Sequence, residues 1–67
     1  MREWLLEMRK GVGITQEHIA TKCSITRQYY SMIEKGERVP SVETAQAIAN
    51  VLGFKWTRFF ESNQEAS

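Results

Sequence analysis

Four side chains with hydrogen-bonding groups share one side of a short helix predicted at residues 27–35, with Thr26 as its N-cap. At about 100° of rotation per residue, Tyr30 and Ile33 fall on the opposite side, which must face the core. The four outward residues are Arg27, Gln28, Ser31 and Lys35. A solvated helix usually mixes in acids, yet the only acid here is Glu34, near the boundary with the core. This face suits a negatively charged, acceptor-rich partner such as the groove of a duplex.

A second short helix, predicted at residues 16–23, comes directly before that segment. Ile19, Ala20 and Cys23 form its apolar side at helical spacing. Thr15 suits its N-cap, because a threonine hydroxyl can accept a hydrogen bond from the first free backbone N–H groups. The residues left for the turn are too few for a strand or a domain linker. Two short helices joined in this way indicate a helix-turn-helix.

Apolar residues at helical spacing predict two longer helices, one on each side of this pair. The first covers residues 2–10 and ends at Gly11 and Gly13. Its inner stripe consists of Trp4, Leu5 and Met8. The other covers residues 42–52 and is capped by Ser41. Its inner stripe consists of Val42, Ala45, Ile48, Ala49 and Leu52.

A short, aromatic fifth helix is predicted at residues 55–61, and a polar segment at 62–67 follows it. No alternating strand pattern and no internal repeat occurs anywhere in the sequence. The sequence therefore predicts an all-α fold of five helices. We expect a single domain at residues 1–61 and a polar, flexible tail at 62–67.

Length and composition exclude several classes of function. A chain of 67 residues can bury one small core, but it is too small for an enclosed enzyme cleft. One cysteine and one histidine cannot build a disulfide framework or a usual metal site, so no metal or cofactor is expected. No apolar run could span a bilayer, and the charged N-terminus does not resemble a signal peptide. We expect a cytoplasmic, non-enzymatic protein that acts through its surface.

Charge is distributed unevenly, although the net charge is only +1. Residues 22–38 carry four basic and two acidic side chains, and residues 1–10 carry three basic and two acidic ones. The remainder of the chain has a net charge of −2. A modest positive excess thus coincides with the polar helix face described first.

Five segments occur in an order and spacing that resemble one known family. They are RKGVGITQEHIA at 9–20, ITRQYYSMIEKG at 25–36, PSVET at 40–44, ANVLG at 49–53 and FF at 59–60. Together they resemble the Cro/CI-type helix-turn-helix family, the lambda-repressor-like (XRE) DNA-binding domains of phage and bacterial regulators. The resemblance extends over about residues 5–60.

The resemblance implies that the second motif helix reads double-stranded DNA. The family's base-facing positions correspond to Arg27, Gln28, Ser31 and Met32. Arginine can bind guanine through two hydrogen bonds and glutamine can bind adenine likewise, whereas methionine can only touch a thymine methyl group. The phosphate-contacting positions correspond to Thr15, Gln16, Tyr29, Lys35 and Arg38.

Some of these residues have structural alternatives. In the family, an arginine of the first helix pairs with the acid that ends the recognition helix, which implies a brace between Arg9 and Glu34. An acid facing DNA would repel phosphate, so its neutralisation by an arginine is physically reasonable. Tyr30 is expected in the core, whereas Tyr29 could contact a phosphate or only pack.

Three positions depart from the family. Ser24 stands where a glycine usually makes the turn, so the tight conformation costs more. Lys55 replaces a serine or threonine cap, and Trp56 replaces a smaller aliphatic residue. The last two departures affect the packing of the fifth helix or a partner surface there.

The expected function is sequence-specific binding to a near-palindromic operator, as a dimeric transcriptional repressor. Such dimers place their recognition helices about 34 to 36 Å apart. The candidate dimer surface consists of Phe54, Trp56 and Phe59, whose alternative role is core packing. An alternative function is a protein-interaction module of the same fold, an antitoxin or anti-regulator with a regulatory protein as its main partner. The low net charge favours that alternative.

Overall fold

The chain forms four α-helices and one short 3-10 helix in the computed structural model, which describes residues 1–61. The elements are α1 (Glu3–Val12), α2 (Gln16–Lys22), α3 (Arg27–Lys35), α4 (Val42–Leu52) and a 3-10 helix at Trp56–Phe60. No strand occurs within residues 1–61, so the described chain is all-α as predicted. None of these helices is long and apolar enough to cross a membrane.

The predicted count of five helices is not confirmed. The fifth segment is a five-residue 3-10 helix, and its N-cap residue, Lys55, makes no side-chain capping hydrogen bond. A lysine side chain has no hydrogen-bond acceptor, so it cannot cap the free backbone N–H groups at the start of a helix. Helices of the 3-10 type rarely extend beyond a few residues. The predicted tail at 62–67 lies outside the described residues.

Side-chain caps begin three of the α-helices at the predicted residues. The hydroxyls of Thr15, Thr26 and Ser41 each accept a hydrogen bond from the backbone N–H three residues later, at 3.1, 3.0 and 3.2 Å. Each such cap contributes about 1 kcal/mol. These helix starts are therefore encoded within four consecutive residues.

The end of α1 differs from the prediction. The helix continues through Gly11 to Val12 and closes at Gly13, whose φ is 84°. The Gly13 N–H donates to the carbonyls of Arg9 and Lys10. A glycine inside a helix costs only about 1 kcal/mol, which does not end it, whereas a left-handed residue does.

The turn between α2 and α3 contains the only non-glycine residue with a positive φ in residues 1–61. Ser24 has a φ of 60°, and its N–H donates to the carbonyl of Thr21 at 3.1 Å. The next N–H, of Ile25, reaches back to Ala20 at 3.0 Å. The turn therefore holds a serine in a conformation that favours glycine, at a cost of about 1 kcal/mol.

The core lies where the inner faces of the helices meet. Its buried members are Leu5, Ile14, Ile19, Ala20, Tyr30, Ile33, Ala45, Ile48, Leu52 and Phe59. Trp4 and Met8 pack against this cluster while half-buried. The placement of Val42 on the inner stripe was wrong, because this residue is 51% exposed. Val42 is the first residue of α4, and core burial begins one turn later, at Ala45.

Candidate nucleic-acid interface

The outward face of α3 presents exposed cationic and amide side chains. Arg27 and Gln28 lie exposed in its first turn, and Lys35 is exposed at its end. Within residues 1–61, these three side chains make no hydrogen bond or ion pair. They are therefore available to a partner outside the chain.

The other two predicted base-facing residues lie deeper on the same helix. Ser31 and Met32 are both half-buried. Arg38 is exposed in the loop that follows α3, and the N–H groups of residues 37 and 38 donate to the carbonyl of Met32. The structure thus exposes Arg27, Gln28 and Lys35 on α3 and leaves Ser31 and Met32 half-buried nearer its middle.

Glu34, the only acid in α3, is buried. Its side chain is 2% exposed, and Nε of Arg9 donates to its Oε2 at 2.6 Å. The hydroxyl of Tyr30 donates to the same oxygen at 2.7 Å, and Nε2 of Gln16 donates to Oε1 at 2.9 Å. Burying a charge is costly unless it is paired and hydrogen-bonded, and here both conditions are met. The negative charge is thereby removed from the α3 surface.

The protonation states of this network follow from its surroundings. Burial by itself would raise the pKa of Glu34, but the hydrogen bonds from Arg9, Tyr30 and Gln16 outweigh it and the pKa is lowered. Burial and the neighbouring carboxylate raise the pKa of Tyr30. At neutral pH the carboxylate is therefore ionised and accepts, while the phenol is protonated and donates.

A shallow, open cleft joins the end of α1 to the starts of α2 and α3. Its lining residues are Arg9, Lys10, Gly13, Ile14, Thr15, Gln16, Glu17 and Arg27. Thr15 is exposed, and Gln16 is half-buried beside it. The cleft therefore brings two predicted phosphate-contacting residues next to Arg27, a predicted base-contacting residue.

Tyr29 is half-buried and packs against the core cluster. Packing, one of the two alternatives for this residue, is thus present in the folded chain. Its ring is held between the core and the surface of α3, where part of the side chain remains accessible.

Arg2 has a structural role that the sequence did not indicate. Its Nη1 donates to the carbonyls of Ile33 at 2.6 Å and Arg38 at 3.1 Å, and its backbone N–H donates to the carbonyl of Glu34 at 2.8 Å. Its guanidinium also lies 5.6 Å from the ring centre of Phe59. Arg2 therefore stabilises the end of α3 from a position more than 30 residues earlier in the sequence. Local sequence patterns cannot predict a contact over such a separation.

The aromatic residues near the chain end divide between core and surface. Phe59 is 4% exposed, so its assignment to a dimer surface is corrected: it belongs to the core. Its ring centre lies 5.3 Å from that of Trp4. Phe54 and Trp56 are half-buried, and Phe60 is 39% exposed. Of two adjacent phenylalanines, helical position turns one inward and the other outward, which composition alone could not decide.

Within the described part of the chain, no three His, Cys, Asp or Glu side chains are grouped so that they could hold a metal ion. Cys23 is a half-buried free thiol at the end of α2, and burial raises its pKa. A thiol that stays protonated is a poor nucleophile. The exposed side chains of α3 offer hydrogen bonds and positive charge to a partner.

Residues 5–59 match the helix-turn-helix family. The chain is 51% identical to the "uncharacterized HTH-type transcriptional regulator YqaF" of Bacillus subtilis, covering 91% of this chain and 80% of that protein. It is 43% identical to a protein of Methanothermobacter thermautotrophicus with the same HTH-type description, covering 79% of this chain and 77% of that one. No solved structure matches the chain significantly. The chain thus belongs to the Cro/CI-type (XRE) helix-turn-helix family of DNA-binding domains.

Proposed function

We propose that this protein is a sequence-specific, double-stranded DNA-binding transcriptional regulator that reads the major groove with α3. The observation that carries the proposal is the distribution of charge on that helix. Its one acid is buried and paired with Arg9, whereas Arg27 and Lys35 are exposed and unpaired within residues 1–61. The surface of α3 therefore attracts a polyanion, and the one acid of this helix does not oppose it. The HTH-type regulators similar to the chain support the same function.

Base contacts come from the first turn of α3. Arg27 and Gln28 have the length and exposure to reach base edges, and their pairing preferences are guanine and adenine. Ser31 and Met32 follow one turn later on the same face. Both are half-buried, so they contact only bases that lie close to the helix. Together these four residues discriminate among a few base pairs.

Phosphate contacts surround this recognition face. The five residues in this role are Thr15, Gln16, Tyr29, Lys35 and Arg38. The first two approach one strand from the start of α2, and the last two approach from the end of α3 and the loop after it. Contacts of this kind fix the register of the protein on the duplex and carry no sequence information directly.

A two-fold dimer on a near-palindromic operator fits the size of the recognition helix. At nine residues, α3 spans only a few base pairs, so specificity requires a second copy one helical turn away, about 34 to 36 Å. The dimer surface combines the half-buried Phe54 and Trp56 with Phe60, which takes the place that the sequence suggested for Phe59. The dimer represses by occupying its operator and needs no cofactor.

Selection of duplexes from a random pool, followed by anisotropy titrations, tests the proposed function. The selected duplex should bind more tightly than a scrambled duplex of equal length, and both affinities should fall steeply with salt because counterions are released. The selected sequence should show two related half-sites. Absence of binding to either duplex at 50 mM salt would overturn the proposal.

The low net charge of +1 favours one other function, a protein-interaction module such as an antitoxin or anti-regulator. In that case the exposed face of α3 would bind a regulatory protein. The same titrations separate the two functions, because this alternative predicts no preference for the selected duplex over the scrambled one.

A further inference from the structure

The amide of Gln16 is held by Glu34, 18 residues later in the chain. Gln16 is the first residue of α2, and its Nε2 donates to Oε1 of Glu34 at 2.9 Å. An ionised carboxylate only accepts hydrogen bonds, so it must face the nitrogen of the amide. The opposite amide orientation would bring two acceptor oxygens together at that distance. The folded protein therefore excludes one of the two orientations that a free glutamine adopts.

Hydrogen bonds from two other residues hold the Glu34 carboxylate in the position that disfavours the other orientation. Its Oε2 receives hydrogen bonds from Arg9 at 2.6 Å and from Tyr30 at 2.7 Å. Arg9 is in turn held by its Nη1, which donates to the carbonyl of Ile14 at 2.9 Å. The carboxylate is thus held by Arg9 of α1 and by Tyr30, one turn earlier in α3. Its hydrogen bond with Gln16 in turn holds the amide of that residue.

The outer side of the Gln16 amide remains accessible. Its Oε1 makes no hydrogen bond within residues 1–61, and no buried side-chain nitrogen or oxygen there lacks a partner, so this oxygen reaches solvent. The residue lines the open cleft next to Arg27. The cleft side of the amide therefore offers Oε1 as an acceptor and the second Nε2 hydrogen as a donor.

We propose that Glu34 is a positioning residue for DNA binding, which fixes the amide of Gln16 before the duplex arrives. The inference rests on the function proposed above. A glutamine free to rotate would lose that freedom on binding, which weakens association, whereas Gln16 has lost it on folding. Glu34 thus supports binding to a polyanion although it is itself an anion.

The proposed positioning role and the charge of Glu34 predict opposite effects of Glu34→Gln on DNA affinity. Glu34→Gln removes one negative charge from the domain, and that change by itself strengthens binding to DNA. Glu37→Gln is the matched control, because Glu37 is exposed in the loop after α3 and does not contact Gln16. The control should bind DNA at least as tightly as the wild type, while Glu34→Gln should bind more weakly.

A double-mutant cycle on DNA affinity tests the route through Gln16. Gln16→Ala and Glu34→Gln should each weaken binding to the selected duplex about five- to tenfold, the effect of one typical hydrogen bond. The double variant should bind about as weakly as Gln16→Ala alone. Circular dichroism at the assay temperature checks that each variant is folded.

Two results of the cycle would be contrary to expectation, and they are distinguishable. If Glu34→Gln weakened binding by the same factor with and without the Gln16 side chain, Glu34 would not act through Gln16 and the inference would be overturned. If the wild-type protein bound neither the selected nor the scrambled duplex, the proposed function itself would be lost.

A measurement on the wild-type protein covers the case in which Glu34→Gln does not fold. By nuclear magnetic resonance, one Nε2 proton of Gln16 should be shifted downfield and should exchange with water more slowly than those of Gln46, which is exposed on α4. Equal shifts and equal exchange rates for the two glutamines would overturn the inference.

Discussion

Arg9 donates from Nε to Oε2 of Glu34 across 2.6 Å and so joins α1 to the end of α3. The arginine side chain is 13% exposed and the glutamate side chain 2%. Each side chain can be buried only because the other is present, since burying a single charge costs far more free energy than burying an ion pair. Helix α3 is therefore held in place by an ion pair and not by apolar contacts alone.

Removing Arg9 should destabilise the protein strongly. Arg9→Ala leaves the Glu34 carboxylate buried without its cation, so the free energy of unfolding should fall by about 3 to 5 kcal/mol. Urea denaturation followed by circular dichroism measures the change. Lys10→Ala is the matched control, because Lys10 is exposed on the same helix and should change stability by less than about 0.5 kcal/mol. Similar losses for both variants would show that the ion pair is not the cause.

The lowered pKa of Glu34 predicts an acid-dependent loss of stability. Between the lowered pKa of the folded state and about pH 4.3, the unfolded chain binds a proton at this carboxyl while the folded chain does not, so unfolding takes up a proton. This contribution to stability is complete above pH 4.3 and is lost as the pH falls through the lower, folded pKa. In Glu34→Gln this component is absent.

Melting temperatures between pH 2.5 and pH 7 measure that contribution. The gap in Tm between wild type and Glu34→Gln should be widest near neutral pH and should narrow as the solution becomes acidic. Glu37→Gln, which changes an exposed acid, provides the reference for general acid effects. A gap that stayed constant across this range would contradict the assignment of the shift to Glu34.

Arg27 and Lys35 should affect DNA binding in different ways. Arg27→Ala should relax base preference at one operator position, costing about 1 to 3 kcal/mol on the preferred base and little on others. Lys35→Ala should weaken binding to all duplexes alike and reduce the slope of log affinity against log salt by about 1. Titrations with single-base operator variants across a salt series separate the two. A uniform loss from both would mean that α3 presents a different face to DNA.

Two glycines near the end of α1 should respond in opposite directions to alanine. Gly11 is helical and a Cβ there meets nothing within 4 Å, so Gly11→Ala should stabilise the protein by about 0.5 to 1 kcal/mol. Gly13 also has open space around it but has a φ of 84°, so Gly13→Ala should destabilise by about 1 kcal/mol. Thermal denaturation of both variants tests whether the helix ends at Gly13. Equal shifts would contradict that boundary.

Local patterns predicted the four α-helices and the polar character of the outward face of α3. The caps Thr15, Thr26 and Ser41 act on N–H groups three residues away, so each helix start is contained in its own sequence. Helical periodicity also separated Tyr30 and Ile33, which are buried, from Arg27, which is exposed. Backbone conformation and side-chain direction over one or two turns depend on neighbours in the chain.

The sequence by itself determined the all-α class, the capped starts of α2, α3 and α4, and the polar outer face of α3. Only the tertiary structure decided that Arg2 secures the end of α3, that Glu34 holds the amide of Gln16, and that Phe59 rather than Phe60 enters the core. These contacts join residues far apart in the chain, and their formation depends on how the helices cross. A hydrogen bond needs its donor and acceptor atoms within about 3 Å of each other. Sequence periodicity shows on which face of a helix a side chain lies, but it does not show which other helix face packs against it.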